Sequence, residues 1–389
     1  MLQKDIVDRI VSEIEREILD HVLDIKYIGV SLGLLGLSLF YYYHYKYAKD
    51  SNSFDRIILY LEKAIVQIEG NYISYASHIE IIEFGLYLIF LNKKGIINNH
   101  DLENNLSILD DYIMCFVRDK IKENNLDNVV GLLKAGNYFI NRKFSKRRNS
   151  ILFMILNEIR NQAIYKGKFT YWEFCFRDAE RPTVELGLVH GVTGVISFLI
   201  NLYLIGINRK QCKKIIDRSL LFLMSQRNNK SINLFPINAH EEGDLGYNNL
   251  NYGDAGIAYV LIKAGNIFND NGFKTHGMQV LENLLRYNIK NRNKIVDASL
   301  LYGTSGLYSF FSLIYNEVKL PKFLIARNYW FEETLKFYHS EKTWLGFNSY
   351  YFKDNYVQLS FSQGLIGVGI ALMCNHETED YLSFLNYEL

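Results

Sequence analysis

Two kinds of apolar pattern alternate along the chain. Asp55-Arg-Ile-Ile-Leu-Tyr-Leu-Glu-Lys-Ala-Ile-Val and Gln211-Cys-Lys-Lys-Ile-Ile-Asp-Arg-Ser-Leu-Leu-Phe-Leu place apolar residues at helical spacing with charges between them, the pattern of a helix half in water. Other stretches are apolar on all sides and open on paired glycines. Gly33-Leu-Leu-Gly36 leads into LSLFYYY, Gly191-Val-Thr-Gly194 into VISFLINLYL and Gly253-Asp-Ala-Gly256 into IAYVLIKAG. Gly303-Thr-Ser-Gly306 leads into LYSFFSLIY and Gly364-Leu-Ile-Gly367 into VGIALM. Two degenerate copies fill the gaps: Ile82-Glu-Phe-Gly85 keeps the second glycine, and Gly131-Leu-Leu-Lys134 keeps the first.

The copies recur at a period of about fifty to sixty residues, as helical repeats do. Each unit reads as an amphipathic helix, a loop, then a buried helix. An open solenoid would leave the apolar helices facing water, so the pattern predicts a closed α/α toroid: seven inner helices wrapped by seven outer ones, a single domain over residues 1–389. The glycines have two readings. They allow tight packing of inner helices, or they let backbone or ligand approach helix entrances that carry free N–H groups and partial positive charge.

Composition narrows the function. Only 3 prolines occur in 389 residues, which suits long uninterrupted helices. A net charge of +1 offers no global field for nucleic acid or an anionic membrane. Tyr27 to Tyr43 (YIGVSLGLLGLSLFYYY) is uncharged and nearly long enough to span a bilayer, but it contains the first glycine pair and is expected to be an inner helix. Cys115, Cys175, Cys212 and Cys374 form no CxxC pair and follow no signal peptide. They read as buried free thiols of a cytoplasmic protein.

The residues around the glycines resemble the lanthionine synthetase C-like family. Gly187-Leu-Val-His190-Gly-Val-Thr-Gly194 is similar to its G-x-x-H-G-x-x-G element, and Leu250-Asn-Tyr-Gly-Asp-Ala-Gly-Ile257 to its W-C-Y-G-D-P-G-I element. Ser299-Leu-Leu-Tyr-Gly-Thr-Ser-Gly306 resembles C-H-G-x-x-G, and Ser362-Gln-Gly-Leu-Ile-Gly367 the closing S-x-G-x-x-G. The resemblance implies the same toroid and an enzyme that adds cysteine thiols to dehydrated Ser or Thr of a precursor peptide. It implies a zinc ion on two cysteines and a histidine, but those positions read Asn251, Leu301 and Tyr302. No metal or other cofactor is therefore expected. His240, with Glu241, Glu242 and Asp244, reads as a solvated insert rather than a replacement site.

Of the remaining machinery, the resemblance assigns His190 and Asp127 to proton transfer, with Tyr252 beside them. Asp127 could equally cap the following helix, and Tyr252 could be a core tyrosine. Asn251, Tyr302, Tyr247 (where the family has arginine) and Asp254 are candidate substrate contacts, Asp254 reading also as local first-turn chemistry. Three functions stay open. The chain is a metal-independent lanthionine cyclase, or an inactive paralogue that binds the precursor or a partner enzyme. Otherwise it is a glycosidase using two carboxylates among Asp127, Glu185, Asp254 and Asp297. The expected partners are a dehydrated precursor peptide and, with it, a lanthipeptide dehydratase and a transporter.

Overall fold

The computed structural model describes residues 2–70, 72–175, 181–229, 231–239, 248–291, 294–374 and 380–387. Helices dominate: α1 (Leu2–Asp20), α2 (Leu34–Ala48), α3 (Ser51–Glu69), α4 (Ser77–Lys93), α5 (Asn99–Lys122), α6 (Leu132–Asn141) and α7 (Lys146–Asn161). After a short hairpin follow α8 (Val192–Leu204), α9 (Arg209–Ser225), α10 (Asp254–Phe268) and α11 (Asn271–Lys290). The chain continues through α12 (Thr304–Val318), α13 (Pro321–Leu335), the single turn α14 (Asn355–Leu359) and α15 (Leu365–Met373).

The two patterns of the sequence become two kinds of helix. Along α8, α10 and α15 nearly every side chain is buried, whereas α3 and α9 bury one stripe only. Within each hairpin the two kinds pack together, as in α2 with α3, α8 with α9, α10 with α11 and α12 with α13.

The contacts divide into two compact units, residues 85–290 and residues 1–84 with 291–389. In the first, α8 packs on α6 and α10. In the second, α15 packs on α1, α2 and α12, so the first and last repeats meet. The tyrosine-rich segment after Gly33 is the buried helix α2, and no described helix is long and apolar enough to cross a membrane.

The glycine pairs have a steric cause. Gly33, Gly131, Gly191, Gly253, Gly303 and Gly364 stand immediately before the first residue of a buried helix. Ahead of Gly33, Gly131, Gly191 and Gly303 lies a loop that folds back over the helix entrance. The first helical N–H donates to a carbonyl seven residues earlier: Leu34 to Tyr27, Leu132 to Asn125, Val192 to Glu185 and Thr304 to Asp297, at 2.9, 2.8, 2.8 and 3.2 Å. The fold-back leaves no room for a side chain. A Cβ on Gly191 would lie 2.4 Å from the Glu185 carbonyl oxygen, and one on Gly194 2.4 Å from that of Leu188. Gly253 adds a conformational demand, with φ at +91°.

Three expectations are corrected. The degenerate copy at Gly85 does not open a helix, because α4 begins at Ser77. Its Glu80 and Glu83 carboxylates instead accept the backbone N–H groups of Ile28, Gly29 and Ser31 in the loop before α2. The fold also includes an antiparallel hairpin, Ile164–Lys166 with Phe169–Tyr171, turned by Gly167 at φ +55° and clasped by Arg218. Finally, Cys115 and Cys175 are exposed, while Cys212 and Cys374 are buried. Burial pushes the Cys212 thiol up to about 12, so it stays protonated and unreactive.

Candidate functional site

Three helix-entry loops of the 85–290 unit assemble a site. The loop before α6 supplies Asp127, whose two carboxylate oxygens divide their work. Oδ1 accepts the N–H groups of Val129 and Val130 at 2.7 and 2.8 Å, which shapes the turn. Oδ2 meets Nδ1 of His190 at 2.6 Å. One side chain therefore both shapes the turn before α6 and contacts His190. His190 is the last residue before Gly191, so the tight turn at that glycine presents its ring at the loop tip, 25% exposed.

Neighbouring amides hold this loop in place. Asn137 donates to Asn128 at 3.0 Å, and Asn128 donates to the Leu188 carbonyl at 3.4 Å, two residues before the histidine. On the other side, residues 184–186 pair with 237–239 through Leu186 to Ile237 and Ala239 to Val184. The third loop is organised by Asn248 and Asn249. Asn249 Oδ1 accepts the N–H groups of Asn251 and Tyr252 at 3.0 and 2.9 Å, and Asn248 Oδ1 accepts that of Asp254 at 3.0 Å.

Between these loops lies a small, partly open pocket with a cavity volume of only about 10 Å³, lined among others by Glu185, His190, Ile237, Asn251 and Tyr252. Burial alone would push the His190 pKa down. The hydrogen bond and charge of Asp127, followed by the charge of Glu185, outweigh it and hold the imidazole above its ordinary value. Tyr252 is raised by burial first and Glu185 second, against an opposing hydrogen bond from Asn251. Tyr252 therefore stays a neutral phenol, able to donate.

The histidine shift carries a sign. A folded pKa above the unfolded one adds stability that is complete below about 6.5 and is lost as pH rises through the folded value. The His190 ring is expected to titrate above 6.5 by NMR. The stability advantage of wild type over His190→Gln should shrink across that same interval in urea unfolding. A midpoint at or below 6.5 would contradict the charge-assisted pair.

Asp254 is fully buried, and its oxygens accept the N–H groups of Leu234 and Phe235 at 2.8 and 3.1 Å. It clamps that segment to the start of α10, so its place is in first-turn chemistry and the substrate contact is withdrawn. Tyr302 belongs to the second unit, half-buried, its ring 4.8 Å from that of Tyr351. Tyr247 and the His240 cluster lie outside the described residues.

Of the four carboxylates in the glycosidase reading, only Glu185 lines the pocket without a hydrogen-bonding duty to its own loop described above. Asp297, like Asp254, is turned inward, accepting from Ser299 and Tyr350, and its pKa is raised chiefly by burial. Asp127 is committed to His190 and its own turn.

Zinc does not fit the residues at the ligand positions. Leu301 has no donor atom, Tyr302 is engaged in ring packing, and the Asn251 amide is a poor zinc ligand. Among the described residues no group of three or more His, Cys, Asp or Glu side chains could hold a metal ion.

Sequence reasoning passed over Asn128, Asn248 and Asn249, three buried amides that shape the loops. Their position a few residues ahead of a glycine pair, where Asn readily turns the backbone, was the available signal.

A solved structure of nisin cyclase has this fold, with a TM-score of 0.73 at 18% identity over 95% of this chain and 93% of that one. No curated protein matches the sequence. The profile of the lanthionine synthetase C-like protein matches residues 27–389. That match takes in every glycine-paired repeat and all three loops around His190, and the chain belongs to the lanthionine synthetase C-like family.

Proposed function

We propose that the protein is a lanthipeptide cyclase that closes thioether rings in a dehydrated precursor peptide without a metal ion. The observation that carries this reading is the 2.6 Å contact between Asp127 and His190 at the pocket. The Asp127 carboxylate accepts from Nδ1, so in the neutral ring that nitrogen bears the proton and the lone pair is on Nε2. Nε2 takes the proton of a cysteine thiol as sulfur attacks the β-carbon of dehydroalanine or dehydrobutyrine. The C–S bond forms, the double-bond electrons move into an enolate, and the imidazolium returns its proton to the α-carbon. In this reading the neutral phenol of Tyr252, which lines the same pocket as Asn251, donates to the enolate oxygen. A free thiol is only about 3% ionised at pH 7, so removal of its proton is the demand that falls on His190.

The reading includes a closed ring of seven inner and seven outer helices forming one domain, supported by the packing of α15 on α1 and α2. It also includes a reducing, cytoplasmic setting, with a dehydratase and a transporter acting before and after this step. The second reading, a non-catalytic binder of the precursor, is favoured by the replaced ligands Asn251, Leu301 and Tyr302.

One assay separates them. A synthetic peptide carrying one dehydroalanine and one cysteine is incubated with chelator-treated protein. Ring closure leaves the mass unchanged, so loss of the thiol is followed by alkylation and mass spectrometry. Thiol loss faster than in buffer, unaffected by chelator, supports the cyclase. Binding with no thiol loss assigns the protein to the second reading, and stoichiometric zinc would overturn the metal-free one.

A further inference from the structure

Asn125, Glu185 and Asp297 hold the same place in their repeats. Each offers its carbonyl to the first N–H of the helix that follows, that of Leu132, Val192 or Thr304. The fold-back thus fixes the backbone at this position, while the side chain differs from loop to loop. Asn125 Oδ1 accepts the N–H of Asp127 at 3.0 Å, and Asp297 spends both oxygens on Ser299 and Tyr350. Glu185 instead lines the pocket with His190 and Tyr252.

Its backbone is tied on three sides. The Glu185 carbonyl accepts from Val192 at 2.8 Å, Leu186 N–H donates to the Ile237 carbonyl at 2.9 Å, and Ala239 N–H donates to that of Val184 at 2.8 Å. Glu185 therefore stands opposite Asn238 in an antiparallel bridge. The cavity beside it, about 10 Å³, has room for about one water-sized group. The residues around so small a space are held close to one another.

Among the described residues, three titratable groups surround His190. They are Asp127 from the loop before α6, Glu185 from its own loop and the Tyr252 phenol from the loop before α10. The rest of the pocket lining is uncharged. Tyr252 stays neutral, so two carboxylates bear on one imidazole. Asp127 touches Nδ1 and sets the tautomer, whereas Glu185 acts on the ring through its charge. A fixed anion favours the charged form of a neighbouring base, and it does so more strongly where water is scarce. Glu185 therefore matters most at the moment Nε2 gains a proton.

We propose that Glu185 is a positioning residue for proton transfer: a second carboxylate, held by the fold-back, that stabilises the charged His190 ring formed when Nε2 takes the thiol proton. This rests on the reading of His190 as the base in ring closure, but the state of the ring is measured without substrate.

The test is an NMR titration of the His190 ring in full-length protein, its resonance identified by its absence from His190→Gln. Glu185→Gln should lower the titration midpoint. The fall should be smaller than in Asp127→Asn, because Asp127 acts by a hydrogen bond as well as by charge. Glu185→Asp keeps the charge and should stay closer to wild type. The fold-back uses the Glu185 carbonyl, so both variants should still unfold cooperatively in urea. In the ring-closure assay, the acid limb of the rate against pH should move down with the NMR midpoint in Glu185→Gln. The plateau above it should fall, since a less basic imidazole removes the proton more slowly. A purely structural Glu185 would lower the rate at every pH and leave the limb in place. An unchanged or raised midpoint in Glu185→Gln, an equal fall in Glu185→Asp, or a limb that stays in place would each overturn the proposal. The titration needs no peptide, so it judges Glu185 even where wild type closes no ring, a result that overturns the cyclase reading alone.

Discussion

Asp127→Asn is expected to slow ring closure by about 10²–10⁴-fold while leaving the fold intact. The substitution keeps an oxygen that can accept from Val129 and Val130, so the turn before α6 survives. At the other position an amide NH₂ replaces the carboxylate oxygen 2.6 Å from His190. The amide now donates to Nδ1, which forces the imidazole proton onto Nε2 and removes the lone pair proposed to take the thiol proton. The raised His190 pKa should also fall, since its hydrogen bond and charge from Asp127 are lost together. His190→Ala should lose at least as much rate. Asp127→Ala separates the two tasks of the carboxylate, adding a stability loss of about 1–2 kcal/mol from the unmade turn. Initial rates of thiol loss, with NMR titration of the His190 ring, check both effects. A full rate in Asp127→Asn would mean that His190 is not the base.

The repeat was legible because it rests on local sequence. Glycine pairs before apolar runs announce the buried helices, and the amphipathic stretches between them announce their partners. The failures occurred where the decisive contacts are distant in sequence. Gly85 looked like a helix start, yet Glu80 and Glu83 reach back to residues 28–31 and give α4 a different entrance. The hairpin around Gly167 has only three residues in each strand, too few for an alternating pattern to declare itself.

The site was legible by motif where a residue touches a glycine turn, as His190, Asn251 and Tyr252 do. Glu185 entered only as a possible glycosidase carboxylate. In the structure its charge acts on both His190 and Tyr252, a role that depends on pairing between residues 184–186 and 237–239. Asp254 shows the reverse error. It belongs to a recognisable motif, but both its oxygens serve the backbone. Motif membership therefore located the loops correctly without saying which side chains face the pocket.

The glycine turns themselves lead to the second large effect. Gly191→Ala is expected to destabilise the protein by about 3 kcal/mol and to lower the ring-closure rate at temperatures where the variant remains folded. A Cβ at this position would lie 2.4 and 2.6 Å from the Glu185 carbonyl oxygen and carbon and 2.7 Å from the Gly187 nitrogen. All three are backbone atoms, so no rotamer change can relieve the clash. The loop carrying Glu185 and His190 must move instead, which strains the Val192 to Glu185 hydrogen bond of 2.8 Å and the His190 contact with Asp127. Gly187→Ala provides the control, because a Cβ there meets nothing within 4 Å; its unfolding midpoint should remain near that of wild type. Urea denaturation of the two variants, with the His190 titration repeated on each, distinguishes a wedge from a glycine needed only for inner packing. If Gly191→Ala unfolds at the wild-type midpoint, or both variants lose equal stability, the fold-back of the loop onto the helix entrance is not what demands glycine there.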